Sequence, residues 1–188
     1  MFLKIKTIKF LIAAFVVVLP LGSNAFAQKS WLDQNSMSNW NNGSGIMKTK
    51  KISPAELKRC ADEVRTPSLE GDTILMKNGW TLIGYQTLVN GDTAVITVAG
   101  GFDGNCRPLK TQTFVFVGSK LAGTLSPGLM NSRTDGTVTD VELNSATTLT
   151  AEYARYRAND PLCCPWKTQE VNFVIKQNGG NYVLTPER

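Results

Sequence analysis

Cys60, Cys106, Cys163 and Cys164 have the widest chemical reach in this 188-residue sequence, because a thiol can staple, exchange, attack or bind metal. No histidine accompanies them. That removes the Ser-His-Asp and Cys-His nucleophilic arrangements, the His-dependent zinc sites and any unperturbed general base that titrates near neutrality. Adjacent Cys163 and Cys164 are not a C-x-x-C redox pair, and the other two thiols lack zinc spacing, so the pattern favours structural disulfides. Four cysteines allow three connectivities. A bond between the two neighbours is the least attractive, since a trans peptide holds their Cα atoms about 3.8 Å apart, short of the roughly 4.4 Å that relaxed geometry needs. In an extended segment the two side chains point to opposite sides and reach different elements. One bridge from the pair to Cys60 and one to Cys106 are therefore expected, with either assignment open. Each closed loop is worth about 4 kcal/mol in the chain-entropy account.

Carboxylates are the next candidates. Asp103, Asp135, Asp140, Glu142, Glu152 and Asp160 lie in or beside strand-like segments, and glycoside hydrolysis needs only two at suitable separation. No spacing pairs any of them. Asp103-Gly104-Asn105 and Asp135-Gly136 read more simply as turns, where Asp, Asn and Gly supply local hydrogen bonds and positive φ. Trp80, Tyr85, Tyr156 and Trp166 offer faces for a sugar, although aromatic residues on amphipathic strands ordinarily belong to a core. Arg133, Arg155 and Arg157 suit an anion or a plain surface role. The chain has no G-x-S-x-G elbow, S-x-x-K pair, H-E-x-x-H, Walker loop or G-x-G-x-x-G. No catalytic, cofactor-binding or metal-binding residue is assigned on these grounds, and the weight of the absences is against an enzyme.

The elements that must position these groups follow a leading address. Lys4, Lys6 and Lys9 precede the unbroken apolar run Phe10 to Leu19, and Pro20 to Ala27 ends with small residues at Ala25 and Ala27. This is the plan of a secretory signal peptide cleaved after Ala27. Ten apolar residues rise about 15 Å as a helix, half of the roughly 30 Å hydrocarbon core, so a membrane span is disfavoured and a soluble mature chain is expected. Residues 28–52 are rich in Ser, Asn, Gln, Gly and Lys and read as an extended, poorly packed polar arm, with Trp31 and Trp40 either pinning it to the domain, the favoured reading, or exposed for a partner. Residues 53–188 form one domain.

Ser53-Pro54-Ala55-Glu56 is a helix start, with Ser53 capping the Glu56 amide and Pro54 where no donor is needed. A helix over Pro54 to Arg65 is predicted, burying Leu57, Cys60, Ala61 and Val64 and ended by Pro67. Asp72 to Met76 reads either as a second helix capped by Asp72 and closed by Asn78-Gly79 or as a strand over Thr73 to Met76, with the helix slightly favoured. Strands are predicted over Trp80–Val89, Thr93–Ala99, Thr111–Val117, Lys120–Leu125, Val138–Asn144, Thr148–Arg157, Glu170–Gln177 and Tyr182–Thr185. Asn90-Gly91 and Asn178-Gly179-Gly180-Asn181 are strong hairpin signals. Short connections mean antiparallel neighbours. The fold class is α+β: a mainly antiparallel, meandering β-sheet with one or two N-terminal helices.

The formal charge of +5 belongs largely to the leader. Without its three lysines, 17 basic residues face 15 acidic ones, a net +2. Lys48, Lys50 and Lys51 form the main basic cluster, without interleaved aromatics, so nucleic acid is not an expected partner.

GDTAVITVAGGFDGNCRPLKTQTFVFVGSKLAGTLSP (Gly91–Pro127), SRTDG and YRANDPLCCPWKTQEVNFVI resemble the LppP/LprE lipoprotein family of bacterial envelope proteins, especially its cyanobacterial-type members. The resemblance runs from about Cys60 to Pro186. Its most specific elements are D-P-L-C-C-P at Asp160 to Pro165 and the hairpin Phe114 to Pro127. It implies an exported, envelope-associated β-rich domain, with family cysteine positions at Cys106, Cys163 and Cys164, and brings no established activity. The chain departs from the family by lacking the lipobox cysteine, its first thiol being Cys60, and by carrying Trp166 where similar proteins tend to have Ser.

Together these features predict an exported envelope or periplasmic protein that binds or supports without catalysis, contacting a protein, a glycan or a cell-wall component. The rival is a histidine-independent hydrolase acting on an envelope glycan through two carboxylates. A third possibility is an inhibitor or scaffold for another exported protein.

Overall fold

The computed structural model describes residues 30–34, 37–43, 45–84 and 88–187. The leader predicted over Met1–Ala27 and Tyr85 lie outside them. Among the described residues there are two α-helices, α1 (Pro54–Arg59) and α2 (Glu70–Lys77). The strands are β1 (Thr81–Leu82), β2 (Leu88–Asn90), β3 (Thr93–Ala99), β4 (Gly101–Phe102), β5 (Pro108–Leu109) and β6 (Gln112–Val117). They continue as β7 (Lys120–Thr124), β8 (Val138–Leu143), β9 (Thr148–Arg155), β10 (Lys167–Asn178) and β11 (Asn181–Glu187).

The strands form two main antiparallel sheets rather than the single expected meander. One runs β1-β3-β6-β7, with β2 also on β3; the other runs β11-β10-β9-β8; β4 and β5 make a small separate ribbon. Hairpin chemistry explains the local pairs. Asn178 opposes Asn181 across Gly179 and Gly180, both at positive φ, which suits a two-residue turn with the twist that antiparallel strands require. The break into two sheets falls at residues 125–137, the connection from β7 to β8. This segment contains Pro127 and Gly128 and is too long for a tight hairpin, so it carries the chain from one layer to the next.

Residue patterning sets the layer order. β3 (TAVITVA) and β6 (QTFVFV) are nearly continuously buried, as a sheet covered on both faces demands. Val95 and Val115 point with Ala122 into a core shared with Leu149, Ala151, Tyr153, Val171, Phe173, Ile175 and Leu184 of the second sheet. Ala94, Ile96, Val98, Phe114 and Phe116 face the other way, onto Leu75 of α2 and Trp80. β10 alternates buried Val171, Phe173 and Ile175 with exposed Glu170, Asn172 and Lys176, as an outer sheet should. The order is helices, middle sheet, outer sheet.

Several expectations shift for identifiable reasons. Ser53 caps α1 as predicted, its hydroxyl accepting from Glu56 N at 3.2 Å. The helix stops at Arg59 and a 3-10 turn over Ala61–Glu63 follows, because Val64 bridges to Ile83 and Arg65 N donates to Leu82 O. Pairing to the sheet edge thus replaces the last helical turns, and Ala61 is exposed. The strand predicted over Trp80–Val89 divides into β1 and β2, both on β3. The second helix forms, and Asp72 turns back to accept from Ser68 N at 2.8 Å and Leu69 N at 3.0 Å while pairing with Arg65. These donors suit a carboxylate at a helix N-terminus. Although burial opposes it, Arg65 and the two amides hold the Asp72 carboxyl below its ordinary value.

The cysteine expectation is corrected. Cys60 bonds Cys106, with Cα atoms 5.3 Å apart, and Cys163 bonds its neighbour Cys164. The physical reason is placement. Cys60 is buried where α1 ends, and the loop between β4 and β5 brings Cys106 to it, aided by Glu56 Oε1 accepting from Phe102 N at 2.7 Å. Cys163 and Cys164 lie in the β9–β10 connection, which belongs to the other sheet.

Within residues 30–34 and 37–43 the segment is also better packed than the expected arm. Trp31 packs edge-on against Tyr153 and Trp40, with ring centroids 5.1 and 5.3 Å apart, and Leu32 is buried in the shared core. Asn41, only 4% exposed, sits where β7 and β11, the end strands of the two sheets, come together. Its amide donates to Thr124 O and Leu184 O, each at 3.1 Å, and its carbonyl accepts from Thr124 N at 2.8 Å. Gly123 makes room: a Cβ there would lie 2.4 Å from Asn41 Cγ.

Two outcomes test this account. Asn41→Ala leaves edge groups of both sheets unpaired and lowers unfolding free energy by about 3 kcal/mol in urea titration. A loss below about 0.5 kcal/mol means that the amide does not hold the seam. Cys60→Ala/Cys106→Ala costs about 4 kcal/mol in the loop-entropy account, for a bridge spanning 46 residues. Unchanged thermal unfolding of the double variant contradicts it.

Candidate functional site

The outer sheet ends at Arg155, the last residue of β9, and this side chain organises the region beyond it. It is 6% exposed, a burial that a guanidinium tolerates only when its donors are used. Nε donates to Asp135 Oδ1 at 2.9 Å, Nη2 to Asp33 Oδ1 at 2.9 Å, and Nη1 to Gln169 Oε1. Three chain segments are thereby gathered at one end of β9 and β10. Burial opposes ionisation of Asp135, but the Ser30 hydroxyl, the Arg155 guanidinium and the Tyr156 N–H together hold its carboxyl below the ordinary value.

From this base springs the β9–β10 connection, residues 156–166. Trp166 N donates to Arg155 O at 3.0 Å and closes its foot. Arg157 N donates to Asp160 Oδ2 at 2.7 Å, while Asp160 N returns to Arg157 O at 3.1 Å. Cys164 N donates to Pro161 O at 3.0 Å, making a turn that contains the Cys163–Cys164 bond. The Tyr156 hydroxyl reaches Leu162 O at 3.4 Å. Two prolines, a disulfide and these hydrogen bonds restrain the eleven residues of the loop.

That restrained loop presents apolar carbon to water. Leu162 is 61% and Trp166 43% exposed, and Cys163 and Cys164 are exposed between them. The Trp166 ring is occupied by cations: Arg157 Cζ lies 4.0 Å and Lys167 Nζ 4.5 Å from its centroid. Neither cation takes part in an ion pair among the described residues.

The remaining sequence candidates separate. Asp103 is a turn residue, accepting from Asn105 N and Arg107 N through Oδ1 at 2.8 and 2.9 Å. Its carboxyl is held down chiefly by the Arg107 N–H. Asp135 and Asp160 serve Arg155 and the loop. Asp140, Glu152 and Glu170 stand opposite one another on β8, β9 and β10, and Glu142 opposes Thr150. The first three make a row of carboxylates on the outer face of the outer sheet. Asp140 and Glu142 border an opening of about 370 Å³ between β2 and β8, walled by Leu88, Val89, Asn90, Val141 and Leu143. Those walls are aliphatic or amide, not the stacking faces that a sugar subsite would use.

Trp80 is a core residue, donating from Nε1 to Met47 O at 2.7 Å and packed on Phe114. It borders a cavity of about 260 Å³ with Trp40, Met47, Phe114, Pro127 and Leu129, slightly below the volumes usual for small-molecule sites. Of the three arginines considered, Arg155 is structural and Arg157 is held on Trp166. Arg133 adopts positive φ in the turn before Asp135. Asn41 and Lys167 escaped the sequence reading. Asn41 is hidden in a polar run that reads as a tail, whereas Lys167 could have been found as a cation next to Trp166.

The Arg155 cluster sets an acid limit. A carboxyl held down in the folded state contributes stability that is present above its unfolded value of 3.8. It is lost as pH falls below that value through the folded one. Asp135→Asn therefore narrows the stability difference from the parent as pH drops from about 5 to below about 3.5. A difference independent of pH over that window contradicts the assignment.

No curated protein matches this chain, and no solved structure does. The LppP/LprE lipoprotein family matches residues 85–178, within the Cys60–Pro186 span of the resemblance, and the match includes Cys106 and the whole β9–β10 loop but not Cys60. No described helix is long and apolar enough to cross a membrane. With half of its length matched, from the β2 edge to the end of β10, the chain belongs to the LppP/LprE lipoprotein family, a family of envelope-associated proteins.

Proposed function

We propose that this protein is exported by the leader Met1–Ala27 and works in the cell envelope as a non-catalytic binding module whose contact element is the β9–β10 loop. The observation that supports the reading is rigidity spent on exposure. Pro161 to Trp166 (PLCCPW) is six consecutive residues without a charged or amide side chain, and five of them are exposed. An exposed apolar run of this length is unfavourable unless it meets a partner. Ordering it before contact removes part of the entropy that binding otherwise costs. The Arg155 cluster at its foot and the paired cysteines at its tip both serve that end.

Site-specific photocrosslinking in the native envelope tests the reading. A photoreactive residue at Leu162 is expected to capture an envelope component. The same residue at Glu142, on the outer sheet away from the loop, is expected to give only background. Equal yields at the two positions would remove the loop from the function.

A further inference from the structure

The loop on which the binding reading rests also carries information about what it touches. From its foot to Leu162 it combines two chemistries that a single partner must satisfy. Leu162 and Trp166 are exposed apolar groups, and Arg157 and Lys167 are cations held at 4.0 and 4.5 Å from the Trp166 centroid. A cation stacked on an indole is fixed in place while keeping its charge available to a second ligand. Asp160 is the one carboxylate in the loop, and its Oδ2 is turned to the Arg157 backbone N–H.

Different partners would use these groups differently. A soluble polyanion would engage the two cations and leave Leu162 in water. A folded protein would have to offer a concave apolar pocket ringed by carboxylates. A bilayer with anionic headgroups uses all four side chains at once. The indole suits the headgroup region, the leucine reaches the acyl boundary, and the two cations meet lipid phosphates while their stems stay in apolar surroundings. Attraction of cations by an anionic leaflet acts in the same direction.

We propose that the β9–β10 loop docks on the surface of an anionic lipid bilayer, with Leu162 and Trp166 entering the headgroup layer and Arg157 and Lys167 contacting lipid phosphates. The contact is peripheral and reversible, because two apolar side chains and two charges supply far less than a membrane span.

Co-sedimentation of the exported protein with vesicles tests this, using phosphatidylglycerol with phosphatidylethanolamine in one set and phosphatidylcholine alone in the other. Leu162→Ser is expected to lower partitioning on the anionic vesicles about 10-fold. Arg157→Gln/Lys167→Gln is expected to lower it about 25-fold there and to leave the weak binding to phosphatidylcholine unchanged. All three positions are exposed, so thermal unfolding should match the parent and a folding defect would be visible separately. Partitioning that is indifferent to Leu162→Ser, together with tight capture of soluble polyphosphate, would overturn the bilayer in favour of a polyanion. Absence of binding to either vesicle set, while crosslinking from Leu162 still yields a protein partner, would overturn the lipid assignment and leave the binding module standing.

Discussion

The amide of Asn41 is the constraint on which the architecture turns. Two stacked sheets share a core, but a shared core alone does not settle what happens where their end strands converge. There the backbone groups of β7 and β11 need partners, and a buried carbonyl or N–H left without one costs more than a hydrogen bond gains. Asn41 answers with a side chain that both donates and accepts, serving Thr124 on one sheet and Leu184 on the other. A hydroxyl is too short to span both edges and a carboxylate has no donor for the two carbonyls. The residue comes from outside either sheet, so closing the seam also fastens residues 37–43 to the domain. Asn39 Nδ2 to Thr185 Oγ1 at 3.2 Å and Trp40 Nε1 to Thr124 O at 3.1 Å reinforce the same crossing.

Arg155 plays the matching part at the end of β9, inside the outer sheet. A buried guanidinium is a poor way to gain net stability, because desolvation offsets much of the attraction. Its value lies in geometry: a planar fork with several donors can fix several segments in one arrangement. The 3-10 turn at Trp31–Asp33, the turn before Gly136 and the foot of the β9–β10 loop meet on this one side chain. The same contact that anchors Trp31 over Tyr153 therefore determines where the loop begins. Fold and exposed loop are coupled through Arg155 rather than merely adjacent.

How much of this the sequence reveals depends on the range over which each feature is decided. The Ser53 cap, the Asn90-Gly91 turn and the Asn178 to Asn181 turn are set by neighbours within four residues, and all are legible. The unbroken apolar runs of β3 and β6 beside the alternation of β10 also encode the layer order, although only when the strands are compared. Asn41 is illegible because its partners lie 83 and 143 residues away. The early end of α1 fails for a related reason: helical spacing continues through Val64, but pairing with Ile83 wins. The disulfides show the limit most clearly. Strain disfavours a bond between neighbours, yet connectivity is decided by which thiols the fold brings together. Cys106 is delivered to Cys60 by the β4–β5 ribbon, and that leaves Cys163 with Cys164.

The placement of the two disulfides follows a division between the layers. Cys60–Cys106 ties a short helix to a two-stranded ribbon, small elements that bury too little surface to hold each other unaided. Cys163–Cys164 closes no loop of consequence, so chain entropy gives it almost nothing to stabilise. What it does restrict is the local conformation of the turn at Pro161–Cys164. A global staple is useful wherever it is buried, but a purely local one matters only where a particular local shape is used. In this chain that shape carries Leu162 outward and leads directly into Trp166, with Arg157 and Lys167 already stacked on the ring. The loop is therefore shaped locally at Pro161–Cys164 as well as anchored to the fold at its foot through Arg155.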